Sequence, residues 1–326
     1  MSGTPIQLVL IGKLRFYSQW GRARQAKTLA IDRLCTEGRS KLGYFLAMMR
    51  VLYPTRRYSN TCRQPMFHII RPLAGIALLL SLSLAASAVP ALSADITQVT
   101  EYDITLGILP IGTAKFSSEF DGNDYKINGI FQSGGIVNVI KKVSAETNVA
   151  GRISGDRLQA DRYNLVYKLG KRTRIYDVIY QNGNVTDTTI KPPPRRNPDN
   201  WIPVAPGDLK SVLDPLSGLI FPAGAKICSG RVPVYDGESR MDLVLKQEGT
   251  KPYETKGFKG EVTVCSVRYE PKSGYRKGRS DIEYLRQTPM EVWFAKGDDA
   301  TVYAPIYARI PTRMGPLYIT AARYGE

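Results

Sequence analysis

Tyr163-Asn164-Leu165-Val166-Tyr167-Lys168-Leu169 sets tyrosine or leucine at every odd position, with Asn164 and Lys168 on the even face. A period of two is the pattern of a strand with one buried face, because successive side chains leave a pleated strand on opposite sides. Gly170-Lys171 then turns the chain, and Thr173–Gln181 returns with RIYDVIYQ inside it. Asn182-Gly183-Asn184 is a hairpin turn signal, since these residues accept positive φ. Val185–Lys191 completes a meander of three strands with short connections.

The same alternation extends in both directions. Toward the N-terminus it predicts strands over Thr100–Leu109, Thr113–Phe120, Tyr125–Gln132 and Lys142–Ile153. Their connections are turns at Pro110–Gly112 and Asp121–Asp124, with a glycine-rich bend or short helix over Ser133–Val139. Toward the C-terminus, Lys191-Pro192-Pro193-Pro194-Arg195-Arg196-Asn197-Pro198 interrupts the pattern, since three consecutive prolines fit neither a central strand nor a helix interior. It reads as a rigid surface connector, with a proline-recognition motif as the alternative, followed by a short helix near Pro206–Leu213. Further strands are expected over Arg231–Tyr235, Arg240–Lys246, Gly260–Tyr269, Glu283–Lys296, Val302–Ile310 and Leu317–Arg323, with Asp236-Gly237 turning the first hairpin. The sum is all-β: an antiparallel curved sheet, half-barrel or barrel, with one or two short helices. Mid-strand charges at Arg162, Asp177, Asp242 and Arg268 turn the apolar face inward, unlike the lipid-facing band of an outer-membrane barrel.

Residues 66–94 read as a signal peptide. Leu73–Ala88 (LAGIALLLSLSLAASA) follows the basic Arg71 and precedes small residues at Ala86, Ala88, Ala91 and Ala94. The run is short for a spanning helix and lacks a cationic stop-transfer flank, which sets cleavage ahead of a retained anchor. Ala86-Ser87-Ala88 best meets the small-x-small rule. Residues 1–65 form a basic extension, read as a start assigned upstream of Met66, with a genuine basic arm as the alternative. Residues 95–326 are then one exported β domain in the periplasm, with no stable membrane span after cleavage. The chain carries +16; removing +10 for residues 1–65 and +1 for Arg71 leaves +5 for residues 95–326. That mild surplus argues against a nucleic-acid partner and for anionic envelope surfaces.

Two of the four cysteines, Cys35 and Cys62, precede this domain. Cys228 and Cys265 remain, and an even pair in an oxidising compartment predicts a disulfide, with buried thiols or a redox pair as alternatives. The only histidine is His68, so the exported part has none. Serine-histidine-aspartate catalysis, histidine zinc sites and histidine pH switching are thereby removed. No phosphate loop, nucleophile elbow or EF-hand spacing is present, and no cofactor or metal is expected.

Val234–Leu243 (VYDGESRMDL) is the densest polar cluster. Tyr235, Asp236, Arg240 and Asp242 are its candidate ligand-binding residues: two carboxylates flanking an arginine suit acid/base work or a sugar or phosphate group. A hairpin turn capped by Asp236, with Arg240 paired to Asp242, explains the same residues. Tyr163, Tyr167, Tyr176, Tyr180, Tyr269 and Tyr284 line a cavity or pack a core. Lys171–Arg174, Arg195-Arg196 and Arg276–Arg279 are short basic groups on expected turns, either solvated tips or phosphate contacts.

Five stretches also resemble a known family: Leu106–Phe120 (LGILPIGTAKFSSEF), Asp161–Arg172 (DRYNLVYKLGKR), Leu213–Leu219 (LDPLSGL), Val234–Leu243 and Val302–Thr312 (VYAPIYARIPT). They are similar to the exported bacterial family called domain of unknown function 3108, in its alphaproteobacterial branch. The resemblance spans residues 96–325 and none of 1–65. It implies a barrel-like or half-barrel sheet similar to that of periplasmic lipoprotein carriers, and it brings no catalytic residues. The expected function is non-enzymatic, holding a lipid-like, glycan or protein ligand in the cell envelope. The alternatives are a carboxylate-dependent glycan hydrolase using Asp236–Asp242 and a purely structural envelope component.

Overall fold

The computed structural model describes residues 96–297 and 301–325. The basic extension, the signal peptide, Cys35, Cys62 and His68 lie outside the described residues.

Two antiparallel meanders make one large curved sheet. The first is β1 (Ile96–Leu106), β2 (Leu109–Asp121), β3 (Asp124–Ser133), β4 (Val143–Ser154), β5 (Arg157–Leu169), β6 (Arg172–Gln181) and β7 (Asn184–Lys191), with α1 (Ile136–Ile140) between β3 and β4. An excursion over residues 192–228 carries β8 (Trp201–Ile202) and β9 (Phe221–Pro222). The second meander is β10 (Ser229–Tyr235), β11 (Arg240–Thr255), β12 (Phe258–Ser273), β14 (Met290–Lys296), β15 (Val302–Ile310) and β16 (Leu317–Tyr324). Between β12 and β14 come β13 (Tyr275–Arg276), which pairs with β8, and α2 (Ser280–Gln287).

Pairing of β16 with β1 joins the meanders, so the strand order is β10-β11-β12-β14-β15-β16-β1-β2-β3-β4-β5-β6-β7, with β9 beside β15. No ladder connects β7 to β10; the sheet is curved and not closed. A short strip, Val212-Leu213, bridges its two ends. Val212 N–H donates to Gly183 O (2.8 Å) and Leu213 N–H to Pro233 O (2.9 Å), while Tyr235 N–H donates to Leu213 O (2.9 Å). Tyr180 Oη also donates to Tyr235 O at 3.0 Å.

Alternation sets the inner face. In β3 it is unbroken: Tyr125, Ile127, Gly129, Phe131 and Ser133 are buried and their neighbours exposed. On the outer face of β5–β6, Arg162 Nε donates to Asp177 Oδ1 at 2.8 Å, one of the mid-strand charge pairs that keep that face in water. The disulfide Cys228–Cys265 is formed, with 5.7 Å between Cα atoms. It straps the start of β10 to β12 over the intervening β11, and both cysteines are buried. No helix among the described residues is long and apolar enough to cross a membrane.

Three expectations need correction. The first hairpin turns at Gly107-Ile108 rather than Pro110–Gly112. Gly107 adopts φ 58°, and Pro110 falls where the β1–β2 register shifts, a place that tolerates a strand proline. Glu283–Lys296 is not one strand. Ser280–Gln287 is helical because Ile282 and Leu285, three apart, bury one face, while Asp281 and Glu283 occupy the first turn and Arg286 the last. Pro289 then forces the chain into extended structure for β14. The helix expected near Pro206–Leu213 shrinks to a 3-10 turn over Pro206–Leu209, since Val212-Leu213 is committed to the bridging strip.

Candidate functional site

The concave face divides into an open part and a filled part. The open part is a cavity of about 320 Å³. Its walls come from β1–β3, β10–β12, β14–β16, α2 and the loop Pro215–Ile220. They are overwhelmingly apolar: Phe116, Ile127, Leu216, Met241, Val267 and Val292 are typical. Tyr269 and Tyr284 of the sequence-derived tyrosine set belong here. Tyr102 spans the wall, its hydroxyl donating to Pro305 O at 2.6 Å, and burial pushes that phenol far above its ordinary range. Polar groups are few. Asp281 lies at the edge with Arg279 Nε on its Oδ1 at 3.0 Å; burial alone raises this carboxyl, and the arginine outweighs burial and holds it low. The wall ends at Thr312 and the exposed Arg313, where it reaches solvent.

The filled part lies against β5 and β6. Tyr163, Tyr167, Tyr176 and Tyr180 are all buried there. Two tight turns meet them, built by one device used twice. In Asp214-Pro215-Leu216-Ser217, Asp214 Oδ1 accepts the N–H groups of Leu216 (2.9 Å) and Ser217 (3.0 Å). In Asp236-Gly237-Glu238-Ser239, Asp236 Oδ1 accepts those of Glu238 (2.9 Å) and Ser239 (2.6 Å). Each serine then ties its turn to a distant element: Ser217 Oγ lies 2.7 Å from Tyr125 Oη, and Ser239 Oγ donates to Gly274 O at 2.7 Å. Gly237, at φ 92°, lies flat on Tyr176, where an added Cβ would come within 3.3 Å of the ring.

Both aspartates and Glu238 are almost wholly shielded from solvent. Burial raises the carboxyls of Asp214 and Glu238, the latter partly offset by Arg196, whose Nε stands 3.6 Å from Glu238 Oε1. Tyr176 Oη donates to Glu238 Oε2 at 3.4 Å. Burial pushes the Tyr235 and Tyr167 phenols up to about 12.

The four candidate residues are thus divided. Tyr235 and Asp236 sit at the seam between the sheet ends. Arg240 and Asp242 occupy the face of β11 opposite Met241 and Leu243, which line the cavity. Asp242 accepts from Arg240 Nη1 and Arg231 Nη1, both at 2.5 Å, with Lys272 Nζ at 3.3 Å. Burial works to raise this carboxyl, and the arginine hydrogen bonds prevail and hold it low. Sequence reading missed Asp214 and Glu238. The available signal was the repeated D-x-x-S spacing, in which a short carboxylate reaches the N–H groups two and three residues on.

Among solved structures, the chain is similar to the crystal structure of a beta-barrel-like protein of domain of unknown function DUF1849 from Brucella abortus. That match has 10% sequence identity and a TM-score of 0.43, and covers 71% of this chain and 97% of the other. No curated protein matches the chain. The family model described as protein of unknown function (DUF3108) matches residues 101–322, and the chain belongs to that family.

Proposed function

We propose that the protein binds an elongated apolar ligand, of the lipid acyl-chain class, in the cavity of its concave face, and that it does so as an exported envelope protein. The observation that carries this reading is a space of about 320 Å³ walled almost entirely by apolar side chains. An apolar pocket of that size is at the lower end of ordinary ligand sites. Close packing would otherwise eliminate such a void, because each unfilled volume forfeits dispersion contacts. The Cys228–Cys265 bond and the apolar leader at Leu73–Ala88 support export.

No observation favours the glycan hydrolase. Asp242 is held by three cations, and Asp236 caps a turn.

Native mass spectrometry of the protein recovered from its producing cell tests the proposal. A lipid-mass adduct is expected on the wild type. Ala308→Phe, which places a ring in the cavity, is expected to remove it. A clean apo mass in repeated preparations, together with no uptake of an added fluorescent fatty acid, overturns the reading.

A further inference from the structure

The basic groups of the sequence stand on turns, and the strand order decides which turns become neighbours. Antiparallel alternation sends the β1–β2, β3–β4, β5–β6 and β15–β16 connections to one rim of the sheet. Backbone hydrogen bonds join them into a continuous ledge. Gly107 N–H donates to Pro316 O (2.8 Å), Gly134 N–H to Ile111 O (3.0 Å) and Gly170 N–H to Lys142 O (2.9 Å).

Ile108 is 95% exposed on this ledge and Val139 86%, with Leu109 and Ile140 beside them. Four of the five large apolar side chains exposed among the described residues therefore share one rim; the fifth, Ile130, lies three residues inside it on β3. Scattered exposed apolar residues are ordinary, but a cluster at one edge marks an interaction surface. Lys142, Lys171 and Arg172 are exposed beside the cluster. These four connections contain no aspartate or glutamate, whereas Asp121, Asp124 and Asp156 stand at the opposite rim. The β10–β11 and β12–β14 connections further along the same rim do carry acids, but Asp236 is buried and Glu238, Asp281 and Glu283 are each paired with an arginine. Apolar side chains fringed by cations, without acids, complement an anionic membrane surface: the first enter the headgroup layer and the second meet lipid phosphates.

We propose that this ledge docks on the surface of an anionic phospholipid bilayer through Ile108, Leu109, Val139 and Ile140, with Lys142, Lys171 and Arg172 on the lipid phosphates. Arg313 belongs both to the ledge and to the cavity wall, so docking brings the cavity's edge to the membrane. The docking itself rests on residues outside the cavity and stands independently of ligand binding there.

Flotation of the cell-recovered protein with vesicles tests it, using phosphatidylcholine alone and an equal mixture with phosphatidylglycerol. Retention is expected on the anionic vesicles, falling at high salt. The triple variant Lys142→Glu, Lys171→Glu, Arg172→Glu is expected to lower partitioning about 100-fold or more. Ile108→Ser with Val139→Ser is expected to lower it about tenfold. Both sets are exposed and leave the circular dichroism spectrum unchanged. Lys126→Glu, near the opposite rim, leaves partitioning within about twofold of wild type. Absence of retention on anionic vesicles, or ledge variants that float like the wild type, overturns the proposal; in the first case the ledge is left to a protein partner.

Discussion

The tyrosine-filled seam and the cavity share one concave face and solve its interior in opposite ways. At the seam, β5 and β6 supply large buried aromatic side chains, and two aspartate-capped turns are pressed against them, Gly237 lying on Tyr176. In the cavity, valine, methionine and leucine of β11, β12 and β14 face β1–β3 across a gap that they do not fill. The difference teaches where rigidity is needed. The ends of a curved sheet without a closing ladder must be held by specific hydrogen bonds, and the buried Oδ1 atoms of Asp214 and Asp236, each accepting two backbone N–H groups, serve that purpose. The middle of the sheet is held by its own ladders and tolerates a void.

Truncation separates the two regions most strongly. Tyr176→Ala at the seam is expected to cost about 3–5 kcal/mol in urea unfolding, through lost burial plus a new cavity. Tyr284→Ala, on the half-buried cavity edge, is expected to cost less than about half as much, since space already adjoins it. Equal costs break the distinction between a filled and an open region.

Removing the strap across β11 comes next. The loop-entropy model assigns roughly 3.8 kcal/mol to closing the 37-residue separation of Cys228 and Cys265. Cys228→Ser with Cys265→Ser is expected to cost about 2–4 kcal/mol by chemical denaturation of oxidised wild type against variant.

Acidity sharpens the comparison at the seam. Burial raises the Asp214 carboxyl in the folded protein above its unfolded value. The folded state therefore binds more protons across that interval, and the contribution of Asp214 to stability is full below the unfolded value of about 4 and declines as pH rises through the folded one. Asp214→Asn keeps the side-chain oxygen that accepts from Leu216 and Ser217 and removes the titration. Thermal midpoints measured from acidic to mildly alkaline pH are expected to fall less steeply for the variant than for wild type. A parallel pH dependence would place no titration at Asp214.

The smallest effect on stability is expected in the cavity. Ala308→Phe adds volume where space exists and is expected to move stability by under about 1.5 kcal/mol in either direction. A loss of several kcal/mol would show the cavity to be tightly packed.

Alternation made much of this legible. Tyr163, Leu165 and Tyr167 face inward as the opening stretch requires, and strands β3, β15 and β16 fall close to their expected limits. The first part of β11 was legible and its extension was not, because Gln247-Glu248-Gly249 reads as a polar stop and instead carries a register shift within a 16-residue strand. Helix α2 was missed because two buried positions in eight residues are too few to establish a period, and the strand pattern of β14 begins only three residues after it. At the candidate site, the turn at Asp236 was legible from Asp-Gly. The partners of that turn, Tyr176, Arg196 and Gly274, were not, since they lie far away in the chain.

Pleating is a local property, so the order of residues by itself determined which side chains share a face and where most of the hairpins turn, and it made a bond between Cys228 and Cys265 the expectation. It could not determine that β16 would lie against β1, that Val212-Leu213 would bridge β10 to the β6–β7 turn, or that Ile108, Lys142, Lys171 and Arg313 would share one rim. Those outcomes depend on ladders between segments far apart, chosen when the curved sheet buries its inner face, and only the folded chain brings them together.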